Sequence, residues 1–217
     1  MPWGKNKSAV IWREACTGVP KLMIVGKVTG FKYGPRVQAA TANFHYNESD
    51  IDVGFQKVPR EFHEFGKFVK KTRTSVVEQL KYKYILNEEG NDVSTGLKWQ
   101  LASNSVVFLA KPITAVSFAM EDLLVPFVHY IPVKDDFSNV MEMLEWARSN
   151  DDTCKWISEQ ATKFMNHLWI SDKAKAENTV VKMSLAAKRY QEQFTPALKE
   201  CLTQRGKHTF EGGETNQ

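Results

Sequence analysis

The residues best placed to do chemistry lie at positions 84–101, which read YILNEEGNDVSTGLKWQL. An apolar, strand-like run leads into acidic and amide residues and into Gly90, which permits a tight turn. A helix is predicted to begin near Ser94 and Thr95, whose hydroxyls and backbone N–H groups would face outward at the positive end of the helix dipole. With Lys98 one turn further on, the pattern predicts a site for an anionic group such as a phosphate.

The same residues also fit a purely structural role, in which Asp92 or Ser94 caps the helix and Lys98 is exposed to solvent. The residues alone leave both interpretations open. The sequence has no Walker motif, and no GxGxxG follows a predicted strand, so the pattern does not indicate an ATPase or a nicotinamide-dependent enzyme.

Short apolar runs alternate with helical patterns along the chain, as in consecutive strand–helix–strand units. Strands are predicted at 8–12, 51–55, 84–87, 106–109 and 128–133. Helices are predicted at 36–44, 74–82, 94–103 and 116–124, then one that begins at residue 138, one at 151–168, and a last helical segment that runs to about residue 202. This order predicts an α/β fold, a Rossmann-like parallel sheet with helices on both faces that ends in a helical run. Ligands of such sheets bind at the carboxyl ends of the strands, where the polar residues of this sequence fall.

Length and composition indicate an ordinary globular chain. Its 217 residues, 42% hydrophobic and 25% charged, suffice for one domain, predicted over 1–202 with a helical C-terminal segment at 138–202 and a disordered tail at 203–217. The stretch 56–73 contains Phe62, Phe65 and Phe68, whose spacing favours an amphipathic surface helix over a binding surface.

Charge and cysteine content argue against several classes of protein. A net charge of +4, from 29 basic and 25 acidic residues, is too small and too dispersed to indicate a nucleic-acid-binding protein. No run approaches the roughly 20 apolar residues of a membrane span. The three cysteines and five histidines show neither a disulfide framework nor metal-ligand spacing, so neither a metal nor a cofactor is predicted.

Four motifs resemble, in order, those of glycosyltransferase family 90, which includes protein O-glucosyltransferases and lipopolysaccharide- or capsule-modifying enzymes. They read AVIWREACTG, DIDVGF, EGNDVSTGLKW with LASNSVV, and SFAMEDLLVPFVHYIPVKDDFSNVMEMLEWARSND. Each is a weak signal alone, but four in order form a specific one, and the resemblance covers residues 3–169. It implies the C-terminal, nucleotide-sugar-binding half of a GT-B glycosyltransferase, whose N-terminal half, with the general base, would precede Met1.

The resemblance also implies which residues bind the nucleotide sugar. Arg13 is expected to hold the diphosphate, because a guanidinium offers two parallel N–H bonds to phosphate oxygens. Asp52 is expected to bind the base or ribose, Asp92 sugar or ribose hydroxyls, and Glu121 the ribose, although capping or solvent exposure would also explain such side chains. The full predicted set is Arg13, Thr17, Arg36, Asp52, Asn91, Asp92, Ser94, Thr95, Lys98 and Glu121.

Two residues depart from the family pattern. Glu14 stands where the family usually has glycine after the arginine, and Asp122 where a glycine commonly follows Met-Glu. The charge of Glu14 is expected to neutralise Arg13 or to crowd the phosphates, so these departures place activity, and not the fold, in question.

By resemblance, the intact protein is expected to transfer glucose or xylose from a UDP-sugar to a hydroxyl of a protein or glycan acceptor, without a metal. Arg13 and the helix start at Ser94 and Thr95 would stabilise the charge on the leaving diphosphate. The family also implies a location in the secretory pathway, in the ER or Golgi. The alternative is a catalytically inactive member that acts as a binding or interaction module, so the activity of this chain alone is left open.

Overall fold

The computed structural model describes residues 3–16, 34–58, 60, 67, 69–90, 94–110, 120–194 and 196. Its centre is a single five-stranded sheet in the order β2-β1-β3-β4-β5, in which every neighbouring pair is parallel. The strands are β1 (Lys7–Ala15), β2 (Ile51–Lys57), β3 (Tyr82–Asn87), β4 (Val106–Ala110) and β5 (Ile131–Val133). The predicted α/β fold with a parallel sheet is confirmed.

Six α-helices lie in the described part of the chain. They are α1 (Pro35–Asn43), α2 (Val76–Gln79), α3 (Leu97–Leu101), α4 (Val140–Ser149), α5 (Asp151–Met165) and α6 (Asp172–Arg189). Local sequence explains two of their starts. Pro35 fits the first turn of α1, where its missing N–H would have no partner. Ser75 caps α2 by accepting a bond from the Glu78 N–H at 3.2 Å.

The strand order creates a switch point between β1 and β3. The chain leaves β1 towards β2, returns past β1 to β3, and then continues outward through β4 and β5. Because parallel crossovers are right-handed, connections that run in opposite directions place their helices on opposite faces of the sheet. The usual ligand position in doubly wound sheets is the carboxyl edge beside such a switch point, which here is the edge next to β1 and β3.

Two layers of apolar side chains bury the sheet. On one face, Trp12 meets Phe55 edge to face with ring centroids 5.2 Å apart, in a cluster that includes side chains of α1 and α4. Helices α3 and α5 contact β4 and each other, and the Thr162 hydroxyl donates to the Ser103 carbonyl at 3.1 Å, while Cys154 and Ile157 of α5 also belong to the first cluster. Alternate residues of each strand face alternate layers, so both layers are fixed by the same short apolar runs.

Gly54 lets β2 pass close to the neighbouring backbone. A Cβ atom built there would lie 2.7 Å from the Val69 carbonyl oxygen. Gly54→Ala is therefore expected to lower the free energy of unfolding by about 1–3 kcal/mol, measured by urea denaturation. Gly4→Ala is the matched control, because a Cβ at Gly4 has no atom within 4 Å. Equal losses for the two variants would contradict this interpretation.

Several predicted element boundaries are wrong. β1 continues through Glu14 to Ala15, where a loop was predicted, because its charged side chains find partners inside the fold. β5 begins at Ile131 and not at 128, because residues 127–129 form a turn in which the Val128 and His129 N–H groups donate to the Val125 carbonyl and Phe127 has a left-handed φ of 58°. The helix predicted at 116–124 is described only from residue 120 onward, and there the chain forms a single 3₁₀ turn, Glu121–Leu123. Of the helix predicted at 56–73, residues 56 and 57 belong to β2 and Lys70 forms a β-bridge with Phe55, whereas the three phenylalanines lie outside the described residues.

Contacts divide the chain into two compact units, Met1–Met165 and Asn166–Gln217. The first unit contains the whole sheet. In the second, Ser171 caps α6 by accepting a bond from the Ala174 N–H at 3.2 Å, and π turns lie on either side of the helix. The tail predicted to be disordered lies outside the described residues. Within the described part, no helix has the length and apolar content that crossing a membrane requires.

Candidate functional site

A narrow crevice lies at the carboxyl ends of β3 and β4, beside the first residue of α1. Its walls include Pro35, Glu88, Ser94, Ala110 and Glu121. The cavity volume is about 20 Å³, room for roughly one water molecule. A ligand of nucleotide size would therefore have to lie across the mouth of the crevice or widen it.

Asn87 ties the end of β3 to α3. Its side-chain amide donates to the Ser94 hydroxyl at 2.9 Å and to Gln100 Oε1 at 2.5 Å, and all three residues are buried. The α3 helix begins only at Leu97, after Gly96, with no side-chain cap. Ser94 and the exposed Thr95 thus precede the helix, contrary to the prediction, and a helix of five residues supplies little dipole to an anion there.

Arg13 and Asp52, both predicted to bind the nucleotide sugar, are paired with each other in the ligand-free chain. They are 6% and 7% exposed, and Arg13 Nη2 forms an ion pair with Asp52 Oδ1. Arg13 Nη1 also donates to the carbonyls of Trp12 at 2.9 Å and Asp52 at 2.6 Å. The Tyr82 hydroxyl donates to the other Asp52 oxygen at 3.3 Å. This pair joins β1 to β2, so the guanidinium acts as part of the sheet framework.

Arg36 has a different partner, Glu14. Its Nη2 atom lies 3.0 Å from Glu14 Oε2, and its Nη1 atom donates to the Ala15 carbonyl at 3.1 Å. Burial raises the pKa of Glu14, and the Arg36 guanidinium opposes that rise. Glu14 was predicted to neutralise Arg13, but Arg13 already has Asp52, and the charge that Glu14 offsets is that of Arg36.

A second, more open depression of about 550 Å³ lies at the ends of β1 and β2. Its lining includes Arg13, Glu14, Arg73 and Trp99. Two arginines border this depression, whereas the described lining of the crevice contains neither lysine nor arginine. The carboxyl edge of the sheet therefore has an acidic part over β3 and β4 and a more basic part over β1 and β2.

Glu88 is the crevice residue that the sequence did not single out. Its side chain is 2% exposed, and neither carboxyl oxygen has a hydrogen-bond partner among the described residues. Burial raises the pKa of Glu88 well above its usual range, Arg36 opposes the rise, and Glu14 and Glu89 add to it. Only its place at the end of a predicted strand could have drawn attention to it.

The raised pKa of Glu88 makes stability depend on pH. The stability linked to the bound proton is fully present below the unfolded-state pKa and is lost as the pH rises towards the folded-state pKa. Glu88→Gln, which cannot ionise, is thus expected to raise the free energy of unfolding by about 1–3 kcal/mol at pH 7 and by little near pH 4. Urea denaturation at several pH values measures this, with the exposed Glu145→Gln as control. A gain that does not depend on pH would contradict the assignment.

The remaining predicted residues divide into two groups. Thr17, Asn91 and Asp92 lie outside the described residues. Glu121 is half-buried and lines the crevice, whereas its neighbour Asp122 is exposed and Lys98 is half-buried on α3. No group of three or more histidine, cysteine or acidic residues is placed to hold a metal ion within the described ranges.

Comparison with known proteins places the chain beside sugar-transferring enzymes. The model of the family described as Glycosyl transferase family 90 matches residues 36–175. O-glucosyltransferase LpsA of Dichelobacter nodosus is 35% identical over 116 residues, which are 54% of this chain and 35% of that protein. Protein O-glucosyltransferase 1 of Homo sapiens is 39% identical over 98 residues, 45% of this chain and 24% of that protein. Protein O-glucosyltransferase 2 of Danio rerio is 32% identical over 162 residues, 75% of this chain and 29% of that protein. The chain thus matches about a third or less of each relative's length.

The fold is shared with a solved structure, that of HepE from Anabaena in complex with UDP. The match covers 84% of this chain and 50% of that chain, with a TM-score of 0.51 and 10% sequence identity. At this identity the similarity shows the fold alone.

Proposed function

The chain belongs to glycosyl transferase family 90, and we propose that it binds a UDP-sugar at the carboxyl edge of its sheet. The observation that carries the proposal is the position of the crevice, which lies at the carboxyl ends of β3 and β4 beside the start of α1, next to the point where the strand order reverses. The solved complex of HepE with UDP supports UDP as the nucleotide. The relatives named O-glucosyltransferases favour glucose over xylose as the sugar.

Charge suggests how the ligand lies on this edge. The crevice is lined by Glu88, Glu89, Glu121 and Asp135, so it suits hydroxyl groups better than phosphates. The diphosphate fits better at the amino end of α1, which has Arg36 in its first turn and no acidic residue there. This replaces the predicted phosphate position at Ser94 and Thr95.

In the whole protein, the proposed reaction is transfer of the sugar to a hydroxyl of a protein or glycan. The acceptor hydroxyl attacks the anomeric carbon, a base takes its proton, and UDP leaves with the electrons of the broken bond. Arg36 and the amino end of α1 would stabilise the charge on the leaving diphosphate. We expect the base and the acceptor site to come from the remainder of a longer protein, and a secretory-pathway location stays a prediction.

Isothermal calorimetry of the chain with UDP tests the proposal. We expect a dissociation constant in the range of about 1 µM to 1 mM, because KM values of enzymes typically fall in this range. Binding should persist in EDTA, since no step of the proposed reaction uses a metal. ADP is the matched control, and the absence of heat at millimolar UDP would contradict the proposal.

A second candidate is an interaction module that has lost the ability to bind the nucleotide. The ion pair of Glu14 with Arg36 favours it, because it occupies the cation proposed for the phosphates. Glu14→Gly, alone and with Asp122→Gly, separates the two candidates. A rise in UDP affinity shows that Glu14 competes with the phosphates, whereas no UDP binding by any of these chains favours the interaction module.

A further inference from the structure

Glu88 occupies an unusual position for a carboxyl group. It follows the last residue of β3, lines the crevice and is 2% exposed. Both of its oxygens are buried, and no described residue forms a hydrogen bond with either of them. Buried polar groups in folded proteins nearly always have a partner, and removing water from one without replacing it costs free energy. Both carboxyl oxygens of Glu88 are therefore available to form hydrogen bonds with a group that enters the crevice.

The charges around Glu88 limit which chemical group could form hydrogen bonds with it. Arg36 is close enough to influence Glu88, but its guanidinium bonds to Glu14 and to the Ala15 carbonyl. Glu89, Glu121 and Asp135 line the same crevice, so a phosphate there would meet mainly acidic groups. A hydroxyl group suits the position, because it can donate to an ionised carboxylate and can both donate to and accept from a protonated carboxyl group.

We propose that Glu88 contacts the nucleotide sugar directly and recognises one of its hydroxyl groups, on the ribose or on the transferred sugar. The inference rests on the proposed function, because it concerns the same site. Glu88 would then be a residue of the crevice that recognises the substrate. The hydroxyl would supply the hydrogen bonds that the free protein lacks.

Replacement of Glu88 by leucine separates this role from a structural one. Glu88→Leu removes the carboxyl group at similar size, and affinity for the recognised ligand should fall on the order of tenfold. Thermal stability of the ligand-free variant should stay equal or rise, because an unpartnered buried polar group is gone. A purely structural carboxyl group would give the opposite pattern, a loss of stability with unchanged affinity. Glu88→Gln, which keeps hydrogen-bonding atoms, should lose less affinity.

Three ligands in calorimetry distinguish the two possible hydroxyl sources. If Glu88 holds the ribose 2′-hydroxyl, the chain prefers UDP to 2′-deoxy-UDP, and Glu88→Leu abolishes that preference. If Glu88 holds the transferred sugar, Glu88→Leu binds UDP normally but UDP-glucose on the order of tenfold more weakly. Either result supports the inference. Glu145→Leu, an exposed change on α4, is the control and should alter neither affinity nor preference.

The inference is overturned if Glu88→Leu and Glu88→Gln both bind UDP, 2′-deoxy-UDP and UDP-glucose as the unmodified chain does. The proposed function would survive that result, because the unmodified chain would still bind UDP. If the unmodified chain binds none of the three ligands, the proposed function fails first and the role of Glu88 fails with it. The Gln variant keeps the test decisive if the Leu variant does not fold.

Discussion

Replacing Asp52 with alanine is expected to lower the free energy of unfolding by about 3–5 kcal/mol, because Arg13 would remain buried without its counter-charge. The guanidinium is 6% exposed, and three of its bonds go to backbone carbonyls that cannot neutralise it. The Tyr82 hydroxyl would also lose the oxygen to which it donates. Urea denaturation at pH 7 measures the effect.

A double variant shows whether the loss comes from the unpaired charge. Arg13→Met with Asp52→Leu removes both charges and should recover most of the stability, since buried ion pairs can often be replaced by apolar side chains. The control is Glu177→Ala in the exposed pair with Lys173, whose charged atoms lie 3.9 Å apart, and a change within about 0.5 kcal/mol is expected there. If Asp52→Ala lowers the free energy of unfolding no more than this control does, the ion pair does not stabilise the sheet as described.

This expectation also affects how Arg13 can be tested as a phosphate ligand. An Arg13→Ala variant that fails to bind UDP would be ambiguous, because it would leave the Asp52 carboxylate unpaired inside the sheet. Its thermal stability must therefore be measured beside its affinity. Arg36 is the better first target, because it lies in the first turn of α1 next to the crevice.

Ala110→Trp is expected to lower UDP affinity at least on the order of tenfold, because an indole ring would fill the mouth of the crevice. Ala110 ends β4, is half-buried and lines the crevice. Calorimetry with UDP measures the change, and the melting temperature shows whether the variant stays folded. Ala187→Trp, on an exposed position of α6, is the matched control.

Retention of full UDP affinity by a folded Ala110→Trp variant would count against the crevice as the nucleotide site. Equal losses in Ala110→Trp and Ala187→Trp would instead point to an effect of the added aromatic surface. The prediction requires a loss confined to the variant in the crevice.

The sequence predicts the sheet well because short apolar runs are a local signal. Each of the five predicted strands overlaps one in the structure, since runs such as that at 106–109 must be buried on both faces of a parallel sheet. Boundaries are predicted less well where tertiary partners decide them. Glu14 looks like a loop residue until Arg36 is placed beside it. The start of α3 is late because Asn87 holds Ser94 outside the helix.

The site is predicted less completely, because its contacts depend on strand register. In the parallel ladder Ile11 faces Asp52, which brings Arg13, two residues on and on the same face, within reach of Asp52. No local pattern links residues 39 positions apart. The same holds for Glu88, whose lack of a partner emerges only when β3, α1 and the crevice walls are placed together.

The most direct test of the central claim is an experimental structure of the chain with UDP bound. We expect the nucleoside to lie over the carboxyl ends of β3 and β4 at the crevice, and the diphosphate to lie towards Arg36 at the start of α1. A nucleotide seated instead in the depression lined by Arg73 and Trp99, or away from the carboxyl edge of the sheet, would contradict the account.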